Sequence, residues 1–148
     1  MVDRRAARVL LLDPDGRLLM LHGYDPARPE HTYWFTVGGG LAEGESPASG
    51  AARELAEETG LVVEPAALGE PVWQQVTRFP FDGQWYDQHQ DFFVLQVPRW
   101  EVRTDGFDAV ERASIDAYRW WSMDDLVASG ERFYPEELPE LVRGILGG

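Results

Sequence analysis

The sequence predicts one α/β domain, a sandwich of strands and helices, and three observations carry that reading. Short apolar and aromatic runs bounded by Gly, Pro and Asp recur along the chain, as strands do. Between them stand segments with helical start and stop signals. The 148 residues show no repeat, no low-complexity stretch and no linker-like composition shift, so a single core over residues 1–148 is expected.

From the N-terminus, Ala7–Leu12 and Leu18–His22 flank Asp-Pro-Asp-Gly, a turn in which Pro presets φ and Gly accepts φ > 0, so the two runs form a hairpin. Tyr24–His31 holds two prolines and reads as a loop, and Tyr33–Val37 as a short aromatic strand. Ser46-Pro47 begins a helix, with Ser as N-cap and Pro in the first turn, and Gly60 ends it. Leu68–Phe79 and Trp85–Val97 read as strands around the turn Phe81–Gln84, and Ala117–Trp121 as a further strand. Ser122–Asp125 is a capping box with Asp in place of Glu. A last helix is expected over Pro135–Leu146, interrupted at Pro139.

Composition excludes several chemistries. The net charge of -13 and pI of about 4.5 argue against a nucleic-acid or anionic-membrane binder, both of which need a basic face. There is no Cys, hence no disulfide, thiolate metal site or cysteine nucleophile. All basic residues are Arg, which removes a P-loop lysine and Schiff-base chemistry. The N-terminal apolar run, Val9–Leu12, is too short for a signal peptide or a membrane span, so a cytoplasmic protein is the expectation. The sequence is compatible with a homodimer.

The helix Pro47–Thr59 poses the central question. Ala48, Ala51, Ala52, Leu55 and Thr59 form one small-residue stripe suited to close packing on a sheet. Glu54, Glu57 and Glu58 crowd another face at i, i+3 and i+4, with Arg53 able to pair with Glu57. Each like-charge neighbour costs a few tenths of a kcal/mol on an exposed helix. The helix dipole also disfavours anions in the last turns. A divalent cation reverses the sign of these terms, and hard oxygen donors suit Mg²⁺ or Mn²⁺. The preceding Gly38-Gly39-Gly40 lets backbone approach such a ligand.

Gly39, Glu45, Arg53-Glu54-Leu55, Glu57-Glu58 and Gly60-Leu61 fit G-x5-E-x7-R-E-U-x-E-E-x-G-U, with U apolar, at every fixed position. From average residue usage, a chance match is on the order of 10⁻¹⁰ per start position. The segment resembles the Nudix box. The resemblance covers 23 residues, and Arg119-Trp-Trp-Ser-Met-Asp-Asp-Leu126 also resembles the final strand and helix start common in that family. It implies an α/β/α sandwich with a mixed central sheet. It also implies an Mg²⁺- or Mn²⁺-dependent hydrolase that splits a diphosphate within a nucleoside diphosphate linked to another group. Its partner is then a small nucleotide substrate.

By that resemblance Glu54, Glu57 and Glu58 hold the metal, with the Gly38 carbonyl as a further ligand. Arg53 orients Glu57, and Glu45 is structural. The general base is expected outside the box. Glu111 is the first candidate, with Asp108, Asp116 and Glu57 as rivals. Gly39 and Gly40 are assigned to the substrate and Arg78 to a phosphate, and Trp34, Trp73, Phe79, Trp85 and Tyr86 are the candidates for stacking against a base. The subtype signals are missing. Thr77 stands near where ADP-ribose hydrolases tend to carry Pro, and Arg78 where diadenosine polyphosphate hydrolases tend to carry Tyr. The isomerases of this fold need a Cys that is absent here. A nucleotide sensor is expected to be fused to a DNA-binding domain. The acidic surface argues against an RNA cap or 5′-end hydrolase.

Overall fold

The computed structural model describes residues 1–103, 106, 111 and 114–147. Strands β1 (Val2–Leu12), β2 (Leu18–Asp25), β3 (Arg28–Gly40), β4 (Trp73–Phe81), β5 (Gln84–Gln96), β6 (Ile115–Trp121) and β7 (Phe133–Tyr134) make one seven-stranded sheet. Helix α1 is Pro47–Thr59, α2 is Met123–Ser129 and α3 is Leu138–Gly147. The sheet is mixed. β1 runs parallel to β5 through eleven registered positions from Val2↔Tyr86 to Leu12↔Gln96, and β7 is parallel to β3, whereas the other pairs are antiparallel.

Strand alternation divides the core between the two faces. Ala7, Val9 and Leu11 of β1 face α1, meeting Ala51, Ala52 and Leu55 together with Leu19, Leu21, Val37 and Phe93. Leu10 and Leu12 face the other way, with Met20, Trp34, Phe92 and Trp121, and are covered by Leu126 of α2 and Leu138 and Val142 of α3. Helices on both faces complete the expected α/β/α sandwich.

Several boundaries differ from the sequence reading: β1, β3 and β6 begin earlier than expected, at Val2, Arg28 and Ile115, and β7 was not foreseen. Tyr24–His31 is not a loop. β2 runs to Asp25 and β3 starts at Arg28, because Asp25 Oδ1 accepts the Ala27 N–H (3.0 Å) and closes a tight turn around Pro26. Pro29 then falls in a register shift, from Asp25↔Arg28 to Tyr24↔Thr32, where a missing N–H costs no ladder bond. Pro65–Leu68 forms a 3₁₀ turn, so β4 begins at Trp73. Pro139 does not interrupt the last helix but stands in its first turn, where proline is tolerated.

Asp82 and Gly83, at φ 51° and 79°, make the β4–β5 turn, a pair of positive φ values that matches the twist of a two-residue hairpin. Among the described residues no helix is long and apolar enough to cross a membrane.

Candidate active site

Helix α1 is fixed at both ends. Ser46 Oγ accepts the Ser49 N–H (3.2 Å), and Gly60, at φ 81°, returns its N–H to the Ala56 carbonyl (3.0 Å). The alanine stripe seats the helix on β1 and β3. That seating turns Glu54 and Glu58 inward, to 8% and 1% exposure, beside the end of β3. The glycines there have steric reasons. Gly38 has φ 135°, and a side chain would collide with the Ala7 carbonyl. A Cβ on Gly39 would stand 2.8 Å from Glu54 Oε1. The three glycines do not form a loop but end strand β3, paired with β1 through Arg8↔Gly38, Ala7↔Gly39 and Ala6↔Gly40, and glycine there lets a carboxylate press against backbone.

Glu54, Glu58 and Glu111 each place a carboxylate oxygen so that the three atoms lie within 4.8 Å of one another. Burial pushes the Glu54 carboxyl up to about 7, helped by the charges of Glu111 and Glu57 and opposed by Arg53 and Arg8. Glu58 is pushed well above the ordinary carboxylate range by burial, then by Glu54 and Glu111, against the Gly38 N–H (2.7 Å) and Arg8. Arg8 is itself pulled down by burial. It donates from Nη1 to the Gly38 (2.9 Å) and Thr36 (3.3 Å) carbonyls and from Nε to Gln90 Oε1 (3.3 Å).

Arg53 is held first by Glu45, through paired contacts Nε–Oε2 and Nη2–Oε1 of 2.9 Å each, and donates to the Gly40 carbonyl at 3.0 Å. Its reach to Glu54 (3.2 Å) and Glu57 (3.3 Å) is longer. The expected Arg53–Glu57 pair therefore exists within a clamp whose anchor is Glu45. Arg53 lowers Glu45 to about 2, with the Ala42 N–H adding to this.

A cleft of about 830 Å³ opens from this cluster across β1, β5 and β4. Gly38, Gly39, Glu54, Glu58, Glu111 and Arg78 all line it. Glu57 lies outside the trio, on the Arg53 side, about one-third exposed. Gly40 gives its carbonyl to Arg53, and Arg4 fills the space above its Cα. Trp34 lies in the core, edge-on to Trp121 at 5.2 Å, and is 8% exposed, a packing position. Asp116 lies 2.6 Å from His22 Nδ1 on another part of the surface. Asp108 lies outside the described residues.

The sequence reading missed Arg8, Gln88 and Gln90, which line the same cleft. The signal was present. Arg4, Arg8, Gln88 and Gln90 are polar residues at strand positions that alternate in step with buried Leu10, Leu12 and Phe92.

Two of the three box glutamates, Glu54 and Glu58, thus meet Glu111 beside the glycine end of β3, and Glu57 stands apart from them. The Nudix domain profile matches residues 2–141. The chain belongs to the Nudix family. It is 33% identical over 125 residues to an RNA pyrophosphohydrolase of Caulobacter vibrioides, covering 79% of this chain and 70% of that one. It is 28% identical over 134 residues to an isopentenyl-diphosphate Delta-isomerase of Halobacterium salinarum, covering 90% and 60%. In fold it is similar to a MutT protein from Methanosarcina mazei, with a TM-score of 0.68 at 19% identity over 96% of this chain and 91% of the other. That identity shows likeness of fold alone.

Among the described residues of this Nudix hydrolase, the donor set at the trio is all oxygen. Such a set fits a hard divalent cation and offers nothing to a soft one.

Proposed function

We propose that this Nudix hydrolase splits the diphosphate bond of a nucleoside diphosphate linked to another group, in an Mg²⁺- or Mn²⁺-dependent reaction. The observation that carries the reading is the Glu54–Glu58–Glu111 trio, three carboxylate oxygens within 4.8 Å at one end of a cleft of about 830 Å³. Glu54 and Glu58 would hold the cation, with the Gly38 carbonyl and, from outside the trio, Glu57 as further oxygen donors. A cation bound there would neutralise the diphosphate and lower the pKa of a water. Glu111 takes the proton of that water. The water oxygen bonds one phosphorus and the bond to the bridging oxygen breaks, so the other phosphate leaves. Arg8 and Arg78 supply the cleft's facing positive charge.

The absence of Cys separates this reading from an isomerase. The Caulobacter relative favours one narrower alternative, a 5′-phosphorylated RNA end as substrate. One experiment tests both. Phosphate and pyrophosphate release would be measured with Mg²⁺ or Mn²⁺ on nucleoside triphosphates, ADP-ribose, dinucleoside polyphosphates, sugar nucleotides and a 5′-triphosphate RNA, with Glu58→Gln as control. Turnover of one class by wild type, absent in the variant, is expected. Binding without turnover of any substrate would instead make the protein a sensor.

A further inference from the structure

We propose that the side-chain carbonyl of Gln88 is a specificity-determining acceptor that reads a hydrogen-bond donor on the nucleoside part of the substrate. This rests on the hydrolase reading above and deepens it.

Gln88 is 1% exposed and lines the cleft, and its Oε1 has no hydrogen-bond partner among the described residues. Buried polar atoms are rarely unpartnered, so the atom needs a ligand or a water. Its orientation is fixed by a relay. Arg8 has no acceptor, so Gln90 must turn its carbonyl toward Arg8 Nε (3.3 Å). Gln90 Nε2 then donates to Gln75 Oε1 (2.7 Å), and Gln75 Nε2 to the Glu137 carboxylate (2.9 Å). Gln88 has one way to join. Its Nε2 donates to the same Gln90 Oε1 (3.0 Å), and its carbonyl is left as the unpartnered atom. Flipping Gln88 would set two oxygens against each other. The guanidinium beside the catalytic cluster thus determines that the next position along the cleft is an acceptor.

The position also says what is read. Arg8 is in register with Gly38 on β3, whereas Gln88 is in register with Arg4, four residues back along β1. Along the backbone that is about 13 Å plus two strand spacings from Gly38, and the side chains of Arg8 and Gln88 lean toward each other to share Gln90 Oε1. The phosphates therefore lie toward Arg8 and the nucleoside toward Gln88. The stacked rings of Phe79 and Tyr86, with centroids 5.6 Å apart, line the cleft beyond Gln88 and suit a flat base. A base amine or a ribose hydroxyl can supply the donor.

The test starts from whichever nucleotide wild type hydrolyses best. It compares that nucleotide with its counterpart lacking the exocyclic amine and with its 2′- and 3′-deoxy forms, on wild type and Gln88→Met. One of these analogues should lose about 10- to 100-fold in kcat/KM on wild type, mainly through KM. Gln88→Met should show the same loss on the parent nucleotide and no longer discriminate. Melts without ligand check that the variant folds.

Discrimination within twofold on wild type overturns the proposal, since a water alone then occupies the acceptor. So does a Gln88→Met loss that is equal for all analogues, which marks a structural role. If wild type hydrolyses nothing, the proposed function fails. Calorimetric binding of α,β-methylene nucleotides with and without the amine, and of their deoxy forms, then decides the role of Gln88 by the same criteria.

Discussion

Four carboxylates of this protein are buried to a similar degree, Asp13 at 5%, Asp25 at 2%, Glu54 at 8% and Glu58 at 1%, and they form two opposite kinds. Asp25 sits at the hairpin tips, where it receives the Asp82 N–H (2.7 Å), the Ala27 N–H (3.0 Å) and Arg28 Nε (3.3 Å). Asp13 receives two backbone N–H groups and two nitrogens of Arg99. Burial pushes both carboxyls up, but these donors outweigh it and hold them below the ordinary range. Among the described residues Glu54 and Glu58 have one hydrogen bond each, from Arg53 and the Gly38 N–H, and both are raised. Low exposure therefore does not by itself separate the two kinds among the described residues. The number of donors turned toward each buried carboxylate does.

The largest test of that contrast is Glu58→Gln. Hydrolysis should fall by orders of magnitude, as it should for wild type in EDTA, with Mg²⁺ or Mn²⁺ restoring wild type only. In EDTA the variant should melt at the wild-type temperature or slightly above, because the amide oxygen still accepts the Gly38 N–H while the repulsion from Glu54 is gone. Mg²⁺ should raise the wild-type melting temperature by mass action and the variant's much less. A variant that melts well below wild type in EDTA and keeps its activity would place Glu58 with the aspartates.

Glu111→Gln comes next. It should lower kcat by at least about 10²-fold, the usual size of a general-base contribution. The Mg²⁺-induced rise in melting temperature should stay near that of wild type. A lost Mg²⁺ response would make Glu111 a metal ligand instead.

The contrast was half legible in the sequence. The box spacing named Glu54 and Glu58, because helical periodicity carries a local pattern directly into space. Glu111 could be named only as a candidate, since nothing local ties residue 111 to residue 54. Gln88 and Gln90 were passed over, although strand alternation put them inward, because an amide carries no charge to stand out in a composition. The parallel β1–β5 register that brings them beside Arg8 depends on residues eighty or more positions apart, and no short window contains it. Asp25 was lost for a related reason. Two prolines suggested a loop, and the capping carboxylate between the strands was not weighed.

Asp25→Ala probes the satisfied kind. It leaves the Ala27 and Asp82 N–H groups without their acceptor and should cost about 2–4 kcal/mol. For a chain of this size that is a fall of roughly 5–15 °C in melting temperature. The rise produced by Mg²⁺ should be unchanged, and kcat measured well below the melt should stay within about threefold of wild type. A variant that instead loses its Mg²⁺ response would tie the hairpin tips to the metal site and dissolve the distinction.

The smallest effect is also the one whose sign differs between the two kinds, in the metal-free protein. Glu54 titrates near 7 when folded and near its ordinary 4.5 when unfolded, so the folded state keeps a proton that the unfolded chain releases. Stability attributable to Glu54 is therefore full below about 4.5, falls as pH rises, and levels off above about 7. The aspartates act in reverse. Their folded carboxyls titrate below 3.8, so their contribution is present above that value and is lost as pH falls through the lower, folded one. Subtracting the melting curve of Glu54→Gln from that of wild type, both in EDTA, cancels the titrating groups that Glu54 does not touch and leaves its own contribution together with its effect on Glu58 and Glu111. The difference should be near zero at pH 4.5. By pH 7–8 the variant should be the more stable by a few degrees, and saturating Mg²⁺ should invert that order, because the cation binds the deprotonated carboxylate. A difference flat across this range would mean that Glu54 is ionised throughout, as Asp25 is, with donors enough to satisfy it.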